Sequence, residues 1–384
     1  MNSPNTKIQV QEREWWGGKR VLITGASGFK GSWLSQVLLR LGAEVYGTTS
    51  KRINPMSAYH LFDLNKHIVQ VDSDISNRQQ VFDMLNSVAP DVIFHLAAKA
   101  QVPVANRDPV RTFDVNIMGT INILEGCRQL GVGRRLLIIS TDHVFGHIEE
   151  GEFPVDGFDE RSRVSYGGPY DTSKSAMELC VRSYHNTYWS QLPAVGITRA
   201  ANVFGYGDVG TRRVIPLFIN TALFDSDGIP LKYRKNGRQF IHVTDVVAGY
   251  IRAAASLNDD DPKLRDFSSF PIRSPFTPTF HFAIEDYNRS NEPFVRMKEL
   301  GEMVASICKG KLYEAPDCVD YAPNENPVQA LNCQKTQQHI GWSPHMSLEE
   351  GITRLRDWYL KKDQINALLS MLEEDVQKIL RLLT

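Results

Sequence analysis

The chain has 384 residues, of which 42% are hydrophobic and 23% charged, and its formal net charge is −1. That much apolar residue can bury one large or two medium cores, and a balanced charge without a basic stripe argues against nucleic acid or a membrane surface as the main partner. No apolar run approaches the ~20 residues that cross a bilayer, and the polar start MNSPNTKIQVQERE has no signal-peptide core, so a soluble cytoplasmic protein is expected.

In chain order, the first structured stretch is VLITGASGFKGSWL, residues 21–34. Val21-Leu22-Ile23 reads as a buried strand that breaks at Thr24-Gly25. Gly25, Gly28 and Gly31 follow in the spacing G-x-x-G-x-x-G. Trp33, Leu34, Val37, Leu38 and Leu41 then recur with helical period until Gly42. Strand-like runs at 20–24, 44–48, 68–71, 91–95, 135–140 and 194–198 alternate with helical patterns near 30–41, 77–88, 109–130 and 172–189. This alternation predicts an α/β fold: a Rossmann-type, doubly wound parallel sheet with helices on both faces. After residue 200 the pattern loosens into short elements, as expected of a smaller C-terminal substrate-binding lobe laid over the strand ends. The polar, Pro-rich segment 256–279 reads as a surface insertion. The tail INALLSMLEEDVQKILRLLT is an amphipathic helix with Leu368, Leu369, Leu372, Val376, Ile379, Leu380 and Leu383 on one broad stripe, packing on its own domain or on another copy. Cys127, Cys180, Cys308, Cys318 and Cys333 are odd in number and widely spaced. They read as reduced thiols, not as a disulfide frame or a metal site.

The glycine turn is where a phosphate belongs. Residues without Cβ permit a tight strand-to-helix turn and close approach of a pyrophosphate, and the helix N-terminus offers N–H groups and a positive dipole end. Further on, Tyr170 and Lys174 are four residues apart at the start of a helix, on one face. An ammonium close to the phenol is expected to pull its pKa below the usual ~10 and make it a base.

These motifs, with FHLAAKA at 94–100, NIMGTINILE at 116–125 and STDHVFG at 140–146, resemble the extended short-chain dehydrogenase/reductase superfamily over residues 15–360. More narrowly, WWGGKRV before GFKGSWL, and the C-terminal ENPVQALNCQKTQQHIGWSPHMSLEEGITRLRDWY, resemble nucleotide-sugar 4,6-dehydratases of the CDP-glucose type. The resemblance implies that Tyr170, helped by Thr141 and Lys174, takes the proton of a sugar 4-hydroxyl while C4 gives hydride to a nicotinamide. Asp142 then acts as acid for the departing 6-hydroxyl, and the hydride returns to C6. His143 departs from the Glu or Lys found at this position in the family, but imidazole, with a pKa near ~6.5, suits removal of the C5 proton. Asp142 capping a turn, with His143 an ordinary polar neighbour, is the alternative.

By the same resemblance the dinucleotide contacts are Gly25, Ser27, Gly28, Phe29, Lys30 and Gly31, Thr49, Ser50, Lys51 and Arg52, the adenine pair Asp74 and Ile75, Leu96, Ala97, Ala98, Lys99 and Asn116, with Tyr170 and Lys174. A substrate diphosphate falls to Asn202, Arg213 and Arg238, with Arg212 able to replace Arg213, because guanidinium forks match phosphate oxygens. The cofactor is NAD or NADP. The end of the second strand carries Lys51 and Arg52 and no acid, which favours NADP.

The domain layout expected is an N-terminal extension over 1–18, an NAD(P)-binding domain over 19–200 with returning segments from 238–285, a nucleotide-sugar lobe mainly over 201–362, and a terminal helix over 363–384. The resemblance also implies a homodimer or dimer of dimers joined through the 109–130 and 172–189 helices. Two rival readings stand beside the dehydratase: an epimerase or reductase on the same scaffold, and a catalytically silent dinucleotide sensor.

Overall fold

The computed structural model describes residues 15–49, 53–146, 153–208, 213–257, 277–285, 292–322 and 325–383. Its strands in chain order are β1 (Arg20–Thr24), β2 (Glu44–Thr48), β3 (Val69–Val71), β4 (Val92–His95), β5 (Arg135–Ile139) and β6 (Ala194–Ala200). There follow β7 (Asn202–Phe204), β8 (Ile229–Tyr233), β9 (Gly237–Arg238), β10 (Phe240–His242) and β11 (Thr279–Phe282). Among the described residues, seven strands form one sheet in the order β11-β6-β5-β4-β1-β2-β3, every pair parallel. The order reverses between β1 and β4, and that switch point opens a crevice beyond the strand C-termini.

Strand alternation divides the core into two layers. Val21 and Ile23 of β1 face one side. There α1 (Phe29–Arg40) buries Trp33, Leu34, Val37 and Leu38 completely, under α6 (Val243–Ser256) and α7 (Ile365–Leu383). Leu22 faces the other side with Ile93, Leu136 and Ile138, covered by α2 (Arg78–Val88), α4 (Gly119–Leu130) and α5 (Pro169–Tyr188). Each such side chain taken fully from water contributes about 1.5–3 kcal/mol, so both faces of the sheet are firmly clamped. The terminal helix belongs to the first layer: Leu368, Leu372, Val376, Ile379, Leu380 and Leu383 are buried, while Leu369 stays 40% exposed.

Two expectations need correction. The helix predicted over 109–130 is broken into α3 (Pro109–Phe113), a π-turn over Asp114–Met118, and α4. Gly119 lies so close to the strand-end loop that a Cβ would meet Ile75 Cδ1 at 2.7 Å, and the turn carries Asn116 inward. The surface insertion predicted for 256–279 fails at its end: Thr277 and Thr279 are buried, the latter in β11, which returns to pair with β6. Residues 258–276 lie outside the described residues, as do most of the N-terminal extension, Ser50, Lys51, Arg52 and Arg212. No helix among the described residues is long and apolar enough to cross a membrane.

Candidate active site

The glycine turn joins β1 to α1. Gly25 adopts φ +78° and donates its N–H to Thr48 Oγ1 at 2.9 Å, while the Ala26 N–H reaches the Thr48 carbonyl at 2.9 Å. Gly31 is where helix and turn touch, since a Cβ there would stand 2.3 Å from the Gly25 carbonyl oxygen. Gly28 is the N-cap and brings no side chain over the helix mouth, so the first-turn N–H groups keep no internal acceptor. A cradle without Cβ atoms at a helix N-terminus fits a dinucleotide pyrophosphate. Half-buried Ser27 and Phe29 flank it, and half-buried Thr49 follows β2. At the end of β4 the Leu96 N–H bonds the Thr24 carbonyl, the Ala97 N–H bonds Thr24 Oγ1, and the Lys99 N–H bonds Asn116 Oδ1 at 2.8 Å, with Ala98 between them. Asn116 in turn donates to Ser173 Oγ at 2.8 Å, tying this wall to α5.

The adenine pair is differently placed. Asp74 Oδ2 is held by Arg111 at 2.5 Å and its Oδ1 accepts from Ser76, which together hold the carboxyl below its usual range against the cost of burial. Ile75 is buried under Gly119.

Around the end of β5 the chemical groups meet. Gly168 caps α5 and Pro169 begins it, which puts Tyr170 and Lys174 in its first turns, both buried. The expected lowering of Tyr170 does not occur in this protein: burial pushes the phenol up to about 12, against the Thr141 hydroxyl and Arg213, with Asp142 and Asp171 pushing it further. The Lys174 ammonium is directed away from the phenol. Its Nζ donates to the Ile139 carbonyl at 2.9 Å and touches Met177 Sδ, and burial lowers it to about 8.

Thr141 caps the short turn Asp142–Phe145 and donates to Asp142 Oδ1 at 3.0 Å. Asp142 Oδ2 is buried and has no partner among the described residues. Burial raises the Asp142 carboxyl above its ordinary pKa, although His143, Thr141 and Arg238 pull the other way. The cap of this turn is thus Thr141 and not Asp142, one oxygen of which stays uncommitted. His143 is half-buried with Nδ1 2.9 Å from Asp171 Oδ1, its ring edge-on to Tyr170 at 5.6 Å. Burial lowers the imidazole, but the Asp171 hydrogen bond and the charges of Asp142 and Asp171 outweigh it and leave His143 raised, against Arg238.

Cations crowd the same space. Lys30 is half-buried as a residue, and its ammonium donates to Tyr250 Oη at 3.2 Å. Desolvation, then Lys174 and Arg213, bring it down to about 7, with Asp142 opposing. Arg213 lies over the Phe29 ring at 5.6 Å and pairs with Asp208 at 2.7 Å. Arg238 pairs with Glu325 at 2.9 Å and also donates to the Asn326 carbonyl. Asn202 is used structurally, its Nδ2 donating to the Gln239 carbonyl at 3.1 Å beside the β7–β10 pairing. The sequence reading missed Tyr250, Asp171, Thr48, Asp208 and Glu325. Asp171 alone had a signal, its place in Y-D-T-S-K.

The family model for GDP-mannose 4,6 dehydratase matches residues 22–355. The chain is 27% identical over 355 residues to CDP-glucose 4,6-dehydratase of Salmonella typhimurium, covering 91% of this chain and 92% of that one. A dTDP-glucose 4,6-dehydratase from Streptomyces venezuelae, solved with NAD, shares the fold at TM-score 0.70 and 23% identity, covering 91% and 99% of the two chains. UDP-glucose 4-epimerase of Thermotoga maritima, solved with UDP-glucose, does so at TM-score 0.71 and 21% identity, covering 90% and 99%. A match running from the first strand to the last helix but one, over a sheet with this strand order, places the protein: the chain belongs to the GDP-mannose 4,6 dehydratase family.

Proposed function

We propose that this protein is a nucleotide-sugar 4,6-dehydratase, turning CDP-glucose or a related nucleoside-diphosphate hexose into its 4-keto-6-deoxy form. The observation that carries the reading is Asp142: a buried carboxyl, raised by desolvation, with one oxygen unpartnered, beside Thr141 and the Tyr170 phenol. An epimerase has no use for an acid at C6, whereas elimination of the 6-hydroxyl needs one. Arg213 and Arg238, paired here with Asp208 and Glu325, present guanidinium forks that suit a diphosphate able to displace those carboxylates.

A bound nicotinamide supplies a hydride acceptor for C4 and a hydride donor for C6. Gly25, Ser27, Gly28, Phe29, Lys30 and Gly31 hold its pyrophosphate, and Thr49, Leu96 to Lys99 and Asn116 line the remainder. Tyr170, which burial holds protonated, first gives its own proton to solvent and then receives the 4-hydroxyl proton, with Thr141 on the same oxygen and Lys174 one turn along α5. The ketone acidifies C5, His143 takes that proton, and Asp142 protonates the leaving hydroxyl as water. Arg213 and Arg238 hold the diphosphate once it displaces Asp208 and Glu325.

Lys51 and Arg52 favour NADP, although the solved dehydratase named above carries NAD; titration with each dinucleotide decides between them. Val110, Met118 and Leu179, exposed on α3, the π-turn and α5, support a homodimer through these helices. Incubation with CDP-glucose, UDP-glucose, dTDP-glucose and GDP-mannose, followed by mass spectrometry, tests the activity. Loss of one water from one substrate is expected. An isomerised sugar of unchanged mass refutes the reading in favour of an epimerase.

A further inference from the structure

We propose that Asp171 is a positioning residue that holds His143 in its Nδ1–H tautomer, so that Nε2 is the nitrogen that takes the C5 proton; this rests on the dehydratase reading above. Asp171 is the third residue of α5. Its Oδ2 accepts the Gly168 N–H at 3.2 Å, capping the helix, so the orientation of the carboxylate is set by the backbone of the first turn. Its Oδ1 is 2.9 Å from His143 Nδ1 across 28 residues of sequence. A carboxylate can only accept, so the ring nitrogen facing it must carry the proton, and in the neutral ring Nε2 keeps its lone pair. Tyr170 precedes Asp171 in the chain, and its ring meets the His143 ring at 70°. One turn of one helix therefore places the C4 base and steers the C5 base. Carboxylates behind histidines have this effect on ring orientation and basicity at metal and hydrolase sites as well.

The step balances within the chain. The C5–H bond breaks and its proton goes to Nε2. The electron pair becomes the C5–C6 double bond as the C6–O bond breaks, and the Asp142 proton completes the departing water; solvent then returns a proton to Asp142, matching the one released when Tyr170 ionised. When hydride arrives at C6, Nε2 returns a proton to C5. The groups facing His143 are Asp142 on its own turn, Asp171 and Tyr170 on α5, and Arg238 on β9.

The test compares Asp171→Asn, His143→Ala and the double variant with the wild type, run first on the substrate found to lose water. Asparagine keeps an oxygen for the helix cap. The dyad predicts that Asp171→Asn lowers kcat by about 10–100-fold with KM little changed. It further predicts that the same change on the His143→Ala background costs almost nothing more. Nitrogen NMR of the wild-type imidazole reads the tautomer directly: Nδ1 protonated and Nε2 not, with the ring pKa falling in Asp171→Asn. An equal loss in both backgrounds, or a wild-type ring protonated at Nε2, overturns the dyad while leaving the dehydratase reading intact. If the wild type removes water from no sugar nucleotide, the reading fails and takes the assignment of Nε2 with it.

Discussion

Substituting alanine at each glycine of the turn in separate variants distinguishes glycines needed by the fold from those needed by a ligand. At Gly31 the new Cβ would stand 2.3 Å from the Gly25 carbonyl oxygen, 3.0 Å from Ala26 Cα and 3.1 Å from the Ala26 oxygen, all backbone. That is roughly 1 Å short of ordinary contact, so α1 must slide on β1, at a cost toward the top of the ~1–3 kcal/mol typical of overpacking. At Gly25, φ +78° costs an L residue about 1–2 kcal/mol, and the Cβ meets Ala97 Cα and N at 3.0 Å. Gly28 has φ −73°, open to any residue, and its Cβ meets only the Gly25 oxygen, at 3.2 Å. Stability, read from urea unfolding without dinucleotide, should therefore fall most in Gly31→Ala, less in Gly25→Ala, and by a few tenths of a kcal/mol at most in Gly28→Ala. Calorimetric titration with NAD and NADP should reverse part of this ranking. A methyl group at the helix mouth stands where a pyrophosphate must approach, so Gly28→Ala should lose at least about 10-fold in affinity, or ~1.4 kcal/mol, while folding normally. Wild-type affinity in Gly28→Ala, or destabilisation equal to that of Gly31→Ala, would refute the placement of the pyrophosphate.

Glu325→Gln frees Arg238, whose side chain is 13% exposed, from a carboxylate that is 61% exposed; with one partner in solvent the pair is worth about 1 kcal/mol, so nucleoside diphosphate should bind up to about 5-fold tighter, and weaker binding counts against displacement. Asp142→Asn should lower water loss by about 10²–10⁴-fold while reduced nicotinamide still forms at C4 oxidation, seen by its near-ultraviolet absorbance; loss of both signals would give Asp142 a structural role. Lys30, held down to about 7 by burial and by Lys174 and Arg213, should take up a proton at mildly alkaline pH when a diphosphate binds. Binding heats should then differ between buffers of unlike ionisation enthalpy, and the difference should vanish in Lys30→Met. Asp375 on α7 is raised by burial to about 6 even though Arg354 is 2.5 Å away. The folded state thus holds this proton more tightly than the unfolded chain, and the contribution of this group to stability falls as pH rises from about 4 to about 6, by up to about 3 kcal/mol. Asp375→Asn should flatten that part of the melting curve against pH, and parallel curves would show that Asp375 is not its source.

The legible parts of this protein were those whose cause is local. The turn shows because Gly25, Gly28 and Gly31 lie within seven residues between a strand and a helix, and Tyr170 and Lys174 show because helical spacing alone puts them on one face. What failed depends on the surroundings. Lys174 was expected to act on Tyr170 by proximity, yet the Ile139 carbonyl takes its ammonium, and burial, which no spacing reveals, governs the phenol. The π-turn at Asp114–Met118 and the burial of Thr279 go with contacts to Ile75 and β6 that are far away in sequence. Asp171 stood in a quoted motif, but its partner His143 is 28 residues earlier, and only the folded chain brings the two together.

Asp142 and His143 are neighbours in the chain, and both are raised, for different reasons. Desolvation raises Asp142 by disfavouring its anion; it acts against His143, which rises only because two carboxylates favour its cation. Binding a sugar would deepen the burial of both, which strengthens the first effect and opposes the second, so closure of the site pushes the proton toward Asp142 and leaves the imidazole neutral. An acid for C6 and a base for C5 would thus be set by one event, the exclusion of water. Epimerisation at C4 needs only Tyr170 to pass one proton, and for that chemistry the second pair has no task. The arrangement of Asp142, His143 and Asp171 is accordingly one that the proposed elimination uses and that C4 epimerisation does not need.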